Sequence, residues 1–171
     1  REETVSTIQV DFQSGEKFDL KYVDENGDDK VPVIMHRAPL STHERFISFL
    51  IEYYGGAFPT WCAPVQVCML PVQESCMDYT QGLADELTGD FFRIEVDNSN
   101  NTFNKKIRTN TKRKIPILLI IGEQEVADQT VTVRRYGSRD QETISRADFI
   151  AMLQGEVKQR KMLREPMGSI L

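Results

Sequence analysis

The chain has 171 residues, 40% of them hydrophobic and 27% charged, with a formal net charge of −5 and three cysteines. This is ordinary globular composition at a length that suits one full domain plus part of another, and the acidic balance excludes a generally basic polynucleotide-binding protein. The apolar runs fall far short of the about 20 residues a membrane span needs, no secretory leader pattern precedes them, and three cysteines without a Cys-x-x-Cys pair make neither a disulfide framework nor a zinc knuckle.

In chain order, Thr4 to Phe12 alternates apolar and polar residues and predicts a strand, with Val5, Ile8 and Val10 not quite in strict register. Phe18 to Val23 and Val31 to Arg37 flank the acidic stretch Asp24 to Asp29, centred on Asn26-Gly27, which is the signal of a hairpin between two antiparallel strands. Ser41-Thr42-His43-Glu44 has the form of a capping box, so a helix over 42–54 is expected to start there and stop at Gly55-Gly56. Phe46, Phe49, Leu50 and Tyr53 recur at helical spacing and are expected to face a core. Arg45 then sits at the positive end of the helix dipole, where a cation is disfavoured. Either an anion such as an ATP phosphate answers it, or it is a solvated arginine paired with a carboxylate.

Ala57-Phe58-Pro59 reads as a linker, and beyond it strands and helices alternate. Strands are expected over Val65–Val72, Phe92–Val96, Ile115–Ile121 and Thr130–Tyr136, with helices over Asp78–Leu87 and Thr102–Lys112. A last helix is capped at Ser145-Arg146-Ala147-Asp148 and turns Phe149, Ile150, Leu153 and Val157 inward. The expected fold class is therefore α/β: a mixed, largely parallel sheet covered by helices over 59–161, preceded by an α+β segment over 1–58 and followed by a tail over 162–171. Cys62 and Cys68 read as buried free thiols.

Charge is unevenly spread. Residues 1–30 hold nine acids against four bases, whereas six of the ten residues from Lys105 to Lys114 are basic and none is acidic. Such a run is either a solvated helix face or a site for a polyanion such as RNA. His36 shares a strand face with Ile34, and on sequence alone a satisfied core histidine is the simpler reading.

The segments TIQVDF (Thr7 to Phe12), KVPVIMHRA (Lys30 to Ala38), the Glu44-Arg45 pair and GGAFPTWCAPVQV (Gly55 to Val67), taken together and in this order, resemble threonyl-tRNA synthetase. The likeness continues through DNSNNTFNKKIR (Asp97 to Arg108), RKIPILLIIGEQE (Arg113 to Glu125) and TVTVRRYG (Thr130 to Gly137), to about residue 160. It implies the C-terminal portion of such an enzyme: the end of a class II catalytic core with motif 3, then an anticodon-binding domain. The chain departs from the commonest family motif at Pro39, Ser41 and Thr42, which stand where Ile, Gly and Ser are usual.

By that resemblance Arg45 contacts ATP, which comes with magnesium, and Thr7, Gln9, Ala38 and Thr42 line the aminoacyl-adenylate pocket. His36 matches one of three zinc ligands, the other two lying outside this chain. Three protein ligands leave a zinc ion open to substrate, and threonine's hydroxyl would distinguish it from valine there. Asn100, Glu125 and Arg134 match positions that contact anticodon bases. An amide and a carboxylate suit the donor and acceptor edges of unstacked bases, and a guanidinium can stack or fork. Arg108, Lys112 and Lys114 suit phosphate, and Tyr136 offers a stacking face. On residue chemistry alone Glu125 is equally well a solvated loop glutamate.

The expectation is part of a threonine tRNA ligase with threonine, ATP and threonine tRNA as partners, dimeric through segments outside this chain, with no role for DNA or membrane. A cytoplasmic protein is expected, an organellar one being compatible. The fragment alone is not expected to catalyse. The alternatives are a noncatalytic paralogue acting as an RNA-binding or scaffold module, and a class II relative for another amino acid such as proline.

Overall fold

A computed structural model describes residues 4 and 6–162. Val5 of the first expected strand, and most of the expected tail, lie outside the described residues. The chain divides into two compact units, Arg1–Leu50 and Ile51–Leu171.

In the first unit, β1 (Thr7–Asp11) pairs antiparallel with β4 (Ile34–Ala38). Between them lie a short α1 (Ser14–Lys17) and a minimal ribbon of β2 (Tyr22–Val23) and β3 (Asp29–Lys30). The Asn26-Gly27 turn forms as expected, with Gly27 at φ 85° and the Asp24 carboxylate accepting from the Asn26 and Asp28 amides at 2.9 and 3.0 Å. The strands flanking it are far shorter than expected. Pro32 has no N–H to donate, so the ladder stops before it and the following strand pairs with β1 instead. Asp11 accepts from the Gln13 and Ser14 amides at 2.8 and 2.9 Å, the local bonds that seat α1.

Helix α2 (His43–Tyr54) begins one residue later than its capping box suggested. Thr42 is the cap, its Oγ1 accepting from the Arg45 amide at 3.3 Å, while Ser41 takes a left-handed φ of 57°. That conformation is open to glycine at no cost and strained for serine. The expected inward face of α2 is not realised: none of its residues is buried and Phe49 is 44% exposed.

The second unit holds a five-stranded sheet built from β5 (Val67–Pro71), β6 (Ile94–Val96), β7 (Ile117–Ile121), β8 (Thr130–Arg135) and β9 (Gln141–Ser145), in the order β6-β5-β7-β8-β9. A single 3₁₀ turn at Glu74–Cys76 leads into α3 (Met77–Gly89); the other helices are α4 (Phe103–Lys112), α5 (Glu123–Asp128) and α6 (Arg146–Lys158). The sheet is mixed: β5 is parallel to β6 and β7, whereas β7–β8 and β8–β9 are antiparallel. The parallel half needs long crossovers, which α3 and α4 provide, and the antiparallel half needs only α5 and a tight loop.

Both faces of β5 and β7 are buried throughout. On one face Val67, Met69, Ile117, Leu119 and Ile121 pack with Leu83 and Leu87 of α3 and Phe149 and Leu153 of α6. On the other, Cys68, Leu70 and Leu118 pack with Phe103 and Ile107 of α4. All three cysteines are free thiols, and burial, reinforced by Asp97 and Glu95, pushes Cys68 up to about 12. Among the described residues no helix is long and apolar enough to cross a membrane.

A buried ion pair ties α6 to β8. Glu156, 5% exposed, pairs with the Arg135 guanidinium and accepts from Thr60 Oγ1 at 3.2 Å. Glu156→Ala removes a carboxylate that two groups depend on, the buried Thr60 hydroxyl and the half-buried Arg135 guanidinium, which is then only partly hydrated. A loss of about 2–3 kcal/mol in urea unfolding is expected, against under about 1 kcal/mol for Glu86→Ala, whose pair with Arg146 is exposed.

Candidate nucleic-acid interface

The basic run sorts itself according to helix geometry. Lys106 is buried on the inner side of α4, Arg113 forks onto Glu95 at 2.7 and 2.9 Å, and the Lys114 ammonium donates to the Gly55 carbonyl. Lys105, Arg108 and Lys112 remain exposed. Their spacing of three and then four residues places them along one stripe of the helix. Three cations of the six are therefore committed inside the domain, and three form a coherent outward row.

Asn100 and Glu125 are brought to the same edge of the sheet. β6 ends at Val96 and β7 at Ile121, two parallel neighbours of β5, and each candidate lies four residues beyond its strand. Asn100 is exposed in the segment between β6 and α4. Ligand crevices of open α/β sheets lie outside these carboxyl ends, at the point where successive crossovers leave in opposite directions, here around β5.

Glu125 is in the first turn of α5, half-buried, with Oε2 accepting from the Gly122 amide at 2.9 Å and Oε1 from Thr132 Oγ1 at 2.7 Å. Thr132 and Thr143, directly paired across β8 and β9, share a further hydrogen bond of 2.7 Å. Burial pushes the Glu125 carboxyl up, but the Thr132 hydroxyl, the Gly122 amide and its own amide outweigh it and hold it below the ordinary glutamate value. It is an ionised acceptor with a fixed orientation.

Arg134 follows Thr132 on the same face of β8, because Val131 and Val133 belong to the opposite core. It is half-buried and pairs directly with exposed Gln141. Tyr136 is half-buried just past β8, its amide donating to the Pro116 carbonyl at 2.9 Å.

In the first unit, Thr7 is paired directly with Ala38 and Gln9 with His36, so all four fall on one face of the β1–β4 ribbon, and they line a single open depression. Arg45 is exposed in the first turn of α2, beside the exposed cap Thr42. No group of three or more His, Cys, Asp or Glu residues that would hold a metal exists among the described residues.

A feature that the sequence reading passed over lies behind Asn100. Asp97, Lys106 and Asn110 form a polar cluster beneath the segment, and the signal for it was Asn110, an amide at a position of α4 that is 1% exposed.

Asn100 and Glu125 thus lie at the carboxyl edge of the mixed sheet, Arg134, paired with Leu118 near the start of β7, lies toward its other end, and α4 carries a cationic row, the kind of charge distribution that a polyanion-binding surface needs. The chain belongs to the family described as the anticodon binding domain, whose model matches residues 66–156. It is 48% identical over 158 residues to a threonine--tRNA ligase of Listeria monocytogenes serotype 4a (strain HCC23), covering 92% of this chain and 25% of that protein. It is 44% identical over 162 residues to that of Geobacillus kaustophilus (strain HTA426), covering 94% and 25%. The RNA binding domain of threonyl-tRNA synthetase from Cryptosporidium parvum Iowa II superposes with a TM-score of 0.77 at 34% identity, over 91% of this chain and 40% of that one. The chain thus spans about a quarter of the length of the curated relatives it matches.

Removing the Thr132 hydroxyl tests the support of Glu125. In Thr132→Val the carboxyl is expected to titrate higher in a carbon-detected NMR pH titration, with a stability loss of about 1 kcal/mol at neutral pH. A depressed folded pKa gives stability that is present above the unfolded carboxyl's value and lost as pH falls through the folded one. The deficit of the variant should therefore shrink below the ordinary glutamate range.

Proposed function

We propose that the second unit recognises the anticodon arm of threonine tRNA, and that this chain is the C-terminal part of a threonine tRNA ligase. The observation that carries the reading is the division of labour on the domain: an outward cationic row on α4, and amide, carboxylate and guanidinium groups set apart from it. Lys105, Arg108 and Lys112 hold phosphate and set position, whereas Asn100, Glu125 and Arg134 read base edges. A carboxylate is repelled by phosphate, so Glu125 makes sense in an RNA site as an acceptor for base N–H groups. Lys114, occupied with Gly55, contributes less than its neighbours.

The first unit, on this reading, closes a class II catalytic core. Arg45 meets ATP phosphate at a helix start, with magnesium accompanying the nucleotide, and stabilises charge that develops there during threonine activation. Thr7, Gln9, Ala38 and Thr42 border the adenylate. His36 would supply one ligand to a zinc ion whose other ligands lie outside this chain; among the described residues no group of three His, Cys, Asp or Glu side chains that could hold a metal is formed. The whole ligase acts in the cytoplasm as a homodimer. The rival, a noncatalytic RNA-binding module, keeps the second unit's role and drops the first unit's.

Titration of the chain with a cognate anticodon stem-loop at two salt concentrations tests the central part. Lys105→Gln, Arg108→Gln and Lys112→Gln should weaken binding to every RNA and flatten the salt slope by about 0.7–0.9 per lost contact. Glu125→Ala and Arg134→Ala should instead narrow the gap between cognate and scrambled loops, each by about 1–3 kcal/mol. Equal affinity of the unaltered chain for both loops would remove the base-reading assignment.

A further inference from the structure

Lys106 is 8% exposed, and its hydrogen bonds go to backbone: Nζ donates to the Asp97 carbonyl at 2.9 Å and to the Pro71 carbonyl at 3.4 Å. These carbonyls stand where β5 ends and the chain leaves β6, past the last pair of the β5–β6 ladder, Met69 with Val96. The Asp97 carboxylate turns the other way, accepting from the Ser99 amide at 3.1 Å and hydroxyl at 2.6 Å through Oδ1, and from Asn110 Nδ2 at 2.8 Å through Oδ2. Asn110 also donates to the Lys106 carbonyl at 3.0 Å and accepts from Arg113 at 3.1 Å, and Asn101 Nδ2 donates to Ser99 Oγ at 3.0 Å. Asn100 lies between two residues that this network holds.

Burying an ammonium is costly, and a well-packed apolar side chain serves stability at least as well. What an apolar residue cannot do is satisfy two strand-end carbonyls and hold the segment after β6 in one place. We propose that Lys106, with Asp97 and Asn110, positions the Asn98–Asn101 segment before RNA arrives, so that Asn100 meets an unstacked base without a further ordering cost. Lys106 is a positioning residue and touches no RNA itself. The inference rests on the reading of Asn100 given above and adds the device that makes it selective.

Three measurements on the chain test it together: amide hydrogen exchange at Asn98–Asn101, affinity for cognate and scrambled stem-loops, and the salt slope. Lys106→Met, close in length and uncharged, should speed exchange in that segment and reduce the cognate preference by about three- to tenfold, the scale of ordering one or two interface side chains. It should leave the salt slope unchanged. The reduction in preference should vanish when Asn100→Ala is already present. Ser99→Ala, which removes a single oxygen from a half-buried loop residue, should act in the same direction to a smaller extent and carries the test if Lys106→Met does not fold.

Unchanged exchange at Asn98–Asn101 in a folded Lys106→Met chain overturns the positioning role. So does an equal loss of affinity for cognate and scrambled loops, which a merely structural lysine would produce. An unaltered preference in Asn100→Ala alone identifies a different failure: the reading of Asn100 falls, and with it the functional half of the proposal.

Discussion

The second unit depends on one constraint, the burial of two neighbouring parallel strands on both faces. β5 and β7 are buried along their whole length, and each buried aliphatic side chain there is worth about 1.5–3 kcal/mol relative to exposure. Strands of this kind must be covered from both sides and joined by crossovers, which are right-handed as a rule. With β6 on one side of β5 and β7 on the other, α3 and α4 fall on opposite faces, as the two separate cores record. The same arrangement delivers the segments after β6 and β7 to a common edge, where Asn100 and Glu125 are found. The candidate site is a consequence of how the core is closed.

Electrostatics is arranged around that edge by commitment of charges rather than by their number. An acidic chain keeps an outward row of three cations because Lys106, Arg113 and Lys114 have been drawn into internal bonds. Carboxylates are treated the same way: Asp97 and Glu125 each receive several donors, which outweigh partial burial and keep both ionised. Groups so held contribute orientation to a site at little ordering cost when a ligand arrives. The first unit contrasts with this. Gly15 alone is buried among its described residues, and Ile8, Phe12 and Met35 are 65%, 69% and 71% exposed. Its fold is local, a ribbon and a capped helix.

Much of the second unit was legible because its signals are local and strong. Runs such as Ile117–Ile121, short, rich in β-branched residues and bounded by Pro116 and Gly122, read as strands buried on both faces, and Ser145 marks the start of α6 by accepting from the Asp148 amide at 3.0 Å and donating to its carboxylate at 2.7 Å. The parallel character was overestimated, because α5 is only six residues long and spacing alone does not separate it from a loop. β9 was missed for a related reason: Gln141–Ser145 lies at the sheet edge, mostly exposed and polar, so hydrophobic periodicity has little to act on. In the first unit the expected pairing failed at Pro32, where one absent N–H decided the ladder. The basic run was visible as a run, but which of its cations face outward follows from the phase of α4 against the sheet. The network around Lys106 is tertiary, joining residues of β5, the segment after β6 and α4, and no stretch of sequence displays it.

The most direct test of the claim that the carboxyl edge and α4 together form the RNA surface is a map of amide and side-chain NMR shifts as the chain is titrated with the cognate anticodon stem-loop. The account predicts perturbations at Asn98–Asn101, at Glu123–Glu125, at Arg134 and along Lys105, Arg108 and Lys112. Shifts gathered instead on the outer sides of α3 and α6, around Gln81, Asp85 and Gln154, would place the RNA on the opposite face and contradict it.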